Sequence, residues 1–455
     1  MGLDPQGSPE GAPPKPDSAA SCACLATSFF KALERHPRCD ASVPNSAPGP
    51  GRGPTGCALR QPTSSHALDS QPRNQKAEPE KAVPDTPRVL QKITGHHLED
   101  FRLGQTFRHK GGKTITEGLF STFTEFTMTT NPLAKNARYA RAYGFPGLVV
   151  PPGLVMLVAF SQTVEDVSEN ARANLEYIDM RFGTQVYVGD TIEVETKVLG
   201  VKPSSSNPKL GVVHVQSTAR KNLGEEGESV VMTWQRKVQV WKRDEAAPVD
   251  EGEIAPDDVE CTLWLPPYQA GRDYKALAHL SSRDTYFEDF EPGTRIEHWR
   301  GRTMTDEHIH LTAILDNTSQ VHCNQFMIDQ NPKQYVGGRL IIFGGIPFVL
   351  CLGLSCPDVG DNSLGDLLYK TGRHTAPLFS GDTVFAATEV LAKRDYPGRP
   401  DVGVLSTRLL GHKFEPAKHG EKLDAEAAQA PPGFKKTRIF ELDRELVVKR
   451  RSHYA

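Results

Sequence analysis

An internal duplication constrains the fold of this chain more than any other feature of its sequence. The stretch "LEDFRLGQTFRHKGGKTITEG", which begins at Leu98, matches "FEDFEPGTRIEHWRGRTMTDE", which begins at Phe287, at an offset of 189 residues. Further on, "VYVGDTIEVETKVLGVK" matches "LFSGDTVFAATEVLAKR" at an offset of 192 residues. Ordered self-similarity of this kind is typical of repeated structural units. The sequence therefore predicts two copies of one fold.

Each copy contains one strongly apolar helix followed by a run of strands. The helices are "PPGLVMLVAFSQTVEDV", with Pro152 near the first helical position, and "IPFVLCLGLSC", with Pro347 placed likewise. No charged residue occurs in 154–160, so we expect that helix to be buried on most sides. Alternating segments separated by short turns follow each helix and indicate consecutive antiparallel strands. The prediction is an α+β fold in which each copy packs an antiparallel sheet around a long apolar helix.

Composition sets the outer boundaries of the two copies. Residues 1–90 are rich in Pro, Gly and Ala and poor in aliphatic side chains, which predicts a disordered extension. The first copy is expected over 94–244 and the second over 285–451. An acidic, proline-containing linker, 245–284, joins them.

Charge and cysteine usage narrow the class of protein. The net charge of -3, without a basic stripe, disfavours a nucleic-acid partner. No apolar run reaches the roughly 18 residues that span a bilayer, so no membrane partner is expected. None of the eight cysteines belongs to a pair of CxxC motifs, and no secretory signal is evident. We expect a cytoplasmic protein without a bound metal, and we leave a homo-oligomer open.

The motifs of several common enzyme classes are missing. The sequence has no GxGxxG opening a βαβ unit, no GxxxxGK[ST], no GxSxG and no HExxH, and no cofactor is predicted. The segment before the second apolar helix is the best candidate for chemistry. It gathers polar side chains around one imidazole, namely Asp316, Asn317, Ser319, His322 and Asn324.

Two interpretations of His322 are open from the residues alone. A histidine held by a carboxylate or an amide can take a proton from water and return it. The alternative is a structural histidine that is satisfied by a main-chain carbonyl. Cys323, the next residue, is a weaker candidate for covalent catalysis, because neighbours in sequence seldom face each other on a regular element.

Several stretches resemble the two-domain MaoC-like hydratases, and within them the mesaconyl-CoA hydratase branch. They are "TTNPLAKNARYARAYGFPG", "LDNTSQVHCN", "RFGTQVYVGDT", "GRHTAPLFSGDT" and "AKRDYPGRPDVGVL". The resemblance implies a tandem (double) hot-dog fold. The signature of that family is D-x-N-P-x-H. The first copy has Thr129 and Ala134 at its Asp and His positions, whereas the second has Asn317 and His322, so the resemblance implies a degenerate first copy and a catalytic second copy.

The resemblance also implies an activity, which is the reversible hydration of a branched dicarboxylic enoyl-CoA, most closely mesaconyl-CoA to β-methylmalyl-CoA, in carbon metabolism. His322 would deprotonate water, with Asp316 or Asn317 completing its grip. Main-chain N–H groups around the start of the second helix would stabilise the thioester oxygen, from Gly344, Gly345 and Ile346. The substrate would be held by polar side chains: Arg373 first and Arg339 second for its free carboxylate, with Ser319 and Asn324 beside them.

Other functions stay open at this point. Ile346 stands where the mesaconyl-CoA hydratase branch is expected to have a histidine, which leaves room for a hydratase or dehydratase of another enoyl-CoA. A hot-dog thioesterase is disfavoured, because it would need a carboxylate in the helix region, and neither "GLVMLVAF" nor "FVLCLGL" carries one. A non-catalytic acyl-CoA binder would keep the pocket and be indifferent to loss of His322.

Overall fold

One continuous antiparallel sheet of 12 strands runs through the described residues, 95–455, in a computed structural model of the chain. The strands are β1 (Thr106–Arg108), β2 (Lys113–Thr114), β3 (Ala171–Phe182), β4 (Thr191–Pro203), β5 (Leu210–Lys221), β6 (Ser229–Trp241), β7 (Gly252–Glu253), β8 (Arg295–Thr303), β9 (Ser363–His374), β10 (Thr383–Asp395), β11 (Val402–Pro416) and β12 (Phe434–Lys449). The main path is β1-β4-β5-β6-β3-β9-β12-β11-β10-β8, and β2 and β7 pair with β4.

The strand order reads as a mirror image about its centre. β1-β4-β5-β6-β3 in the first half corresponds to β8-β10-β11-β12-β9 in the second. The halves join where β3 pairs with β9, with Met180 opposite Tyr369. The duplication in the sequence is thus a duplication in the structure. Because the halves share one sheet, the boundaries 94–244 and 285–451 stay predictions, and the expected extension, 1–90, lies outside the described residues.

Helices lie between the first strands of each half and the long strands that follow, and the last helix follows the last strand. They are α1 (Glu117–Phe126), α2 (Pro132–Lys135), α3 (Ala137–Ala142), α4 (Pro152–Gln162), α5 (Glu307–Ile314), α6 (Gln325–Gln330), α7 (Gly345–Ser355) and α8 (Arg451–Tyr454). A π-helical turn follows each central helix, at Val164–Ser168 and Cys356–Gly360. Sheet and helices together confirm the α+β prediction.

The two apolar helices pack against each other inside the sheet. All residues of 154–160 in α4 are buried, as expected from their lack of charge. A Cβ atom at Gly153 would lie 3.0 Å from Val349 Cγ1, and one at Gly345 would lie 2.3 Å from Leu157 Cδ2. The N-terminus of each helix therefore lies against the side of the other, at a glycine.

One of the two apolar helices starts as predicted and the other does not. α4 begins with Pro152 at its first position, as expected. α7 begins at Gly345, so Pro347 is the third helical residue rather than near the first. Proline is tolerated there because N–H groups of the first turn have no intrahelical acceptor.

The predicted linker, 245–284, is not extended away from the sheet. It contributes the short strand β7, and the N–H of Ile254 donates to Leu199 O at 2.7 Å. Among the helices of 95–455, none has the length and hydropathy needed to cross a membrane.

Candidate active site

His322 is fixed by a main-chain carbonyl on the segment that leads into α7. His322 is the last residue of a short 3-10 turn, Gln320–His322. Its Nδ1 lies 2.9 Å from Ile341 O. A carbonyl oxygen only accepts, so Nδ1 carries the hydrogen and Nε2 presents a lone pair. Nε2 has no hydrogen-bond partner within 95–455. The ring therefore offers a free proton acceptor.

The protonation state of His322 follows from its surroundings. Burial lowers the pKa of His322 to about 4, the hydrogen bond to Ile341 O opposes that shift, and nearby His308 adds to it. The imidazole is thus neutral at physiological pH. A neutral ring can accept a proton from water, whereas an imidazolium cannot.

Neither Asp316 nor Asn317 forms a hydrogen bond with the imidazole of His322. Asn317 is buried, and its Oδ1 accepts the N–H of Ser319 at 3.1 Å, which shapes the turn that carries His322. Asp316 has φ +60°, and its carboxylate binds Lys113 Nζ at 2.5 Å. The structure corrects the expected grip by Asp316 or Asn317: the left-handed backbone directs Asp316 toward β2 of the first half, and Ile341 O orients the ring instead.

The two flanking polar residues play different parts. Asn324 caps α6, because its Oδ1 accepts the N–H of Met327 at 3.0 Å while its Nδ2 donates to Gln320 Oε1 at 3.0 Å. Both ends of this amide are engaged, so its expected substrate contact is replaced by a structural role. The Ser319 hydroxyl makes no hydrogen bond to residues of the described chain and stays a candidate for substrate binding.

The start of α7 lies beside His322 and offers main-chain donors. The Phe343 ring centroid is 5.5 Å from that of His322, and Gly344 is the N-cap of the helix. In the part of the chain that the structure describes, the N–H groups of Gly344 and Gly345 meet no acceptor. The N–H of Ile346 donates to Phe343 O at 2.8 Å, so it is not free to act as the oxyanion donor that was expected. Helix N-terminal N–H groups favour negative charge.

The same position in the first half has lost these features. Matching main-chain bonds, Val149 N to Leu133 O and Ile341 N to Val321 O, set the two segments in register. Ala134 then takes the place of His322. Pro152, which has no N–H, takes the place of Gly344. The first half therefore lacks the base and the donor equivalent to the N–H of Gly344, and keeps only the N–H of Gly153 at the position of Gly345.

A cavity nevertheless opens at the degenerate motif of the first half. Its lining includes Thr129, Ala134, Pro152, Asp366 and Arg444. The described residues that line it include no histidine, and Pro152 occupies the helix start. Within 95–455, the His322 side combines a histidine with free N–H groups at a helix start, which makes it the candidate active site.

The segment with His322 is tied to the first half of the molecule. The hydroxyl of Thr318 donates to Glu169 Oε2 at 2.7 Å, and that of Thr130 donates to Asp361 Oδ1 at 2.6 Å in the mirrored contact. Burial raises the pKa of the Glu169 carboxyl. These contacts lock each motif segment to the far end of the opposite helix.

Arg373 and Arg339, the two arginines predicted to bind a carboxylate, are not among the residues found around His322 and the start of α7. Arg373 is on the outer face of β9, with 62% of its side chain exposed, and its Nε binds Glu441 Oε1 at 2.6 Å. Successive residues of a strand point to opposite faces, so Arg373 cannot reach the side that holds α7. This position does not favour Arg373 as the carboxylate ligand, and its role stays a prediction. Arg339 is exposed, with its guanidinium 4.1 Å from the Phe379 ring centroid, and stays a prediction.

His374, the neighbour of Arg373, was missed and faces the site. Its Nε2 is 3.3 Å from the Tyr177 hydroxyl, and a Cβ atom on Gly344 would lie 2.8 Å from the same nitrogen. Burial lowers the pKa of His374 to about 4. The sequence "KTGRHTA" could have indicated this position of His374. Side chains alternate along a strand, so either Arg373 or His374, and not both, lies on the inner face.

Cys323 is not arranged as a nucleophile. It is exposed, its Sγ lies 3.9 Å from Ser319 O, and partial burial raises the pKa of its thiol. A reactive cysteine needs a lowered pKa.

Comparison with known proteins places this geometry in a family. A family model described as mesaconyl-CoA hydratase matches residues 82–415. The chain is 36% identical over 340 residues to a β-methylmalyl-CoA dehydratase of Chloroflexus aurantiacus, covering 74% of this chain and 94% of that protein. It is 33% identical over 323 residues to a mesaconyl-CoA hydratase of Cereibacter sphaeroides, covering 70% of this chain and 90% of that one.

Solved structures agree on the fold. A MaoC domain protein dehydratase from Chloroflexus aurantiacus superposes with a TM-score of 0.67 at 32% identity, covering 80% of this chain and all of that one. A Mycobacterium tuberculosis protein with a double hotdog fold gives a TM-score of 0.58 at 20% identity, covering 78% of this chain and 98% of that one. The tandem hot-dog prediction is thereby confirmed.

Proposed function

The chain belongs to the mesaconyl-CoA hydratase family, and from that premise we propose that it catalyses the reversible hydration of mesaconyl-CoA to β-methylmalyl-CoA with His322 as its base. It is an enzyme of the hydro-lyase class, and its substrate is a CoA thioester. One observation carries the assignment of the site. The unpartnered Nε2 of His322 lies beside a helix start with two main-chain N–H groups that have no acceptor in 95–455.

The addition of water follows from these groups. Nε2 of His322 removes a proton from water as its oxygen forms a bond to Cβ, and the π electrons of the double bond move toward the thioester carbonyl. The resulting enolate oxygen accepts hydrogen bonds from the N–H groups of Gly344 and Gly345. The imidazolium then returns its proton to Cα. Dehydration is the same sequence in reverse.

The hydrogen bond to Ile341 and the burial of His322 support this cycle. The hydrogen bond from Nδ1 to Ile341 O keeps the tautomer fixed while Nε2 gains and loses its proton. Burial keeps the resting ring neutral and thus ready to act as a base. The predicted cytoplasmic location and the absence of a cofactor remain proposals.

The test uses the purified full chain with mesaconyl-CoA and identifies the product by mass. We expect a product heavier by one water, together with loss of the enoyl absorbance. Release of free CoA thiol without that product would indicate a thioesterase. Binding without any conversion would indicate a non-catalytic binder. Conversion of other enoyl-CoA thioesters, but not of mesaconyl-CoA, would indicate a hydratase with a different substrate.

A further inference from the structure

Arg236 is a buried cation without an acidic partner. It lies on the inner face of β6 with 0% exposure. Its Nη2 donates to Thr163 Oγ1 at 2.7 Å, its Nη1 donates to Ser168 Oγ at 3.5 Å, and its Cζ lies 4.4 Å from the Phe160 ring centroid. No carboxylate of the described chain forms an ion pair with it, and its Nε has no hydrogen-bond partner. A charge removed from water in this way is costly unless an anion accompanies it.

The mirrored arginine in the second half has an acidic residue nearby. Arg444 of β12 donates to Ser355 Oγ at 3.1 Å, and the nearby Asp366 carboxylate interacts with its charge. The two arginines are equivalent in register, because Arg236 lies opposite Tyr177 and Arg444 lies opposite Tyr369.

The residue equivalent to Asp366 is neutral in the first half. Asp366 lies opposite Leu446 on β12, and Asn174 lies opposite Val238 on β6, each three residues before its tyrosine. Both amide atoms of Asn174 are buried and have no hydrogen-bond partner among residues 95–455. The first half has therefore kept the arginine without the internal acid, and three polar atoms of the two side chains have no partner in 95–455. The Nε of Arg444 is also without a partner, so the Asn174 amide is what sets the first half apart. Buried polar groups in proteins are normally satisfied, so these atoms point to a ligand.

Arg236 lies behind the aromatic wall of the candidate active site. Its ring partner Phe160 lies 5.6 Å from Phe343, centroid to centroid, and Phe343 in turn contacts His322. On the other side, Tyr177 links the arginine to His374, whose ring adjoins Gly344. Arg236 is thus separated from His322 by Phe160 and Phe343, and from the start of α7 by Tyr177 and His374.

We infer that Arg236, with Asn174 beside it in register, binds the free carboxylate of the substrate and selects dicarboxylic over monocarboxylic acyl-CoA thioesters. This inference rests on the proposed function. The guanidinium offers paired N–H donors that match a carboxylate, and the Asn174 amide adds one more donor. Arg236 replaces Arg373, which the fold places on the opposite face of the sheet.

The experiment measures binding rather than turnover, so that it is independent of hydration. The probes are 2-methylsuccinyl-CoA and 2-methylbutyryl-CoA, saturated thioesters that differ in one carboxylate against one methyl group. We expect wild-type protein to bind the dicarboxylic probe more tightly. Arg236→Gln should remove this preference by weakening the dicarboxylic probe about 10- to 100-fold, the size of a charge-assisted hydrogen bond, while 2-methylbutyryl-CoA binds within about threefold of wild type.

A second variant covers the case in which Arg236→Gln does not fold. Asn174→Asp recreates the internal acid of the second half, so it should fold and supply Arg236 with a partner that competes with the substrate carboxylate. We expect this variant also to lose the preference. Lys237→Gln is the matched control, because it removes one positive charge from the outer face of the same strand, where Lys237 meets Glu176 at 3.8 Å.

The outcomes separate the two proposals. Equal binding of both probes by wild type, an unchanged preference in Asn174→Asp, or equal weakening of both probes in Arg236→Gln would overturn the role of Arg236. A wild-type protein that shows the preference yet converts no mesaconyl-CoA would overturn the proposed function and leave the carboxylate site standing.

Discussion

The Nδ1–H of His322 donates to the carbonyl oxygen of Ile341 at 2.9 Å, and this bond decides what the imidazole can do. It fixes the tautomer with its lone pair on Nε2. A carbonyl orients the ring without adding the negative charge that a carboxylate would bring. Together with burial, this leaves a weak base that is neutral over the whole physiological range.

Replacing His322 with Ala should reduce kcat for mesaconyl-CoA hydration by about 100- to 10,000-fold, the usual contribution of a general base. The fold should survive, because the side chain makes one hydrogen bond and that bond lies on a short turn. His310→Ala, at an exposed position of α5, is the control. A His322→Ala enzyme with wild-type turnover would return His322 to the structural interpretation.

The pH dependence of kcat/KM should reflect the lowered pKa of His322. Protonation removes the lone pair of Nε2, so activity should hold from neutral pH downward and fall with a midpoint near the pKa of about 4. A midpoint near 6.5, the ordinary histidine value, would contradict the described environment.

Protein stability must be followed over the same pH range. In the unfolded chain His322 and His374 titrate near 6.5, whereas burial lowers the pKa of each to about 4 in the folded protein. Between these values the unfolded state binds more protons, so the free energy of unfolding decreases as the pH falls. Activity should therefore be compared only at pH values where circular dichroism shows a folded protein.

Asp316 should be dispensable for catalysis, in contrast to the interpretation of the motif. Its carboxylate meets Lys113 at 2.5 Å with 60% of its side chain exposed, and exposed ion pairs contribute little. Asp316→Asn keeps a residue type that tolerates φ +60° and should leave kcat/KM within about twofold of wild type. A large loss in a steady-state assay would restore a catalytic role.

Asn317 should matter through the turn it builds. Asn317→Ala removes the acceptor for the N–H of Ser319, and we expect kcat/KM to fall roughly tenfold, the effect of one lost hydrogen bond. Asn317→Asp retains an acceptor and should stay closer to wild type. Equal losses in the two variants would show that the amide nitrogen, rather than the turn, is what the enzyme needs.

The sequence revealed the repeat, the buried helices and His322, because each depends on local pattern or on self-comparison. It could not reveal the partners of the side chains. Asp316 is directed away by a left-handed backbone, Asn324 is consumed as a cap, and the N–H of Ile346 is taken by Phe343 O.

The position of Arg373 on the outer face could not be predicted for a related reason. Its face of β9 depends on where the strand begins and on the bulges in its pairing with β12, and one position of slip exchanges the two faces. The unpaired state of Arg236 is visible only after register sets Asn174 and Asp366 in equivalent places.

Lys449 offers a prediction about stability that is separate from catalysis. Its ammonium group is buried at the end of β12, donates to the hydroxyls of Tyr139 and Tyr143, and lies 4.4 Å from the Tyr143 ring centroid. Burial lowers the pKa of Lys449 to about 7, and the charge of Asp361 opposes that shift only in part.

Stability should consequently rise with pH above neutrality. Between about 7 in the folded protein and 10.5 in the unfolded chain, the unfolded state carries one more proton at Lys449, so the free energy of unfolding increases by up to about 1.4 kcal/mol per pH unit. Lys449→Met removes this term. Urea denaturation from pH 7 to 8.5 should show a midpoint that rises more for wild type than for Lys449→Met. The thiols of the unfolded chain begin to titrate in this window in both proteins, so the difference between the two curves reports Lys449. Parallel curves for the two proteins would mean that Lys449 stays protonated in its aromatic surroundings, stabilised there by the tyrosine rings.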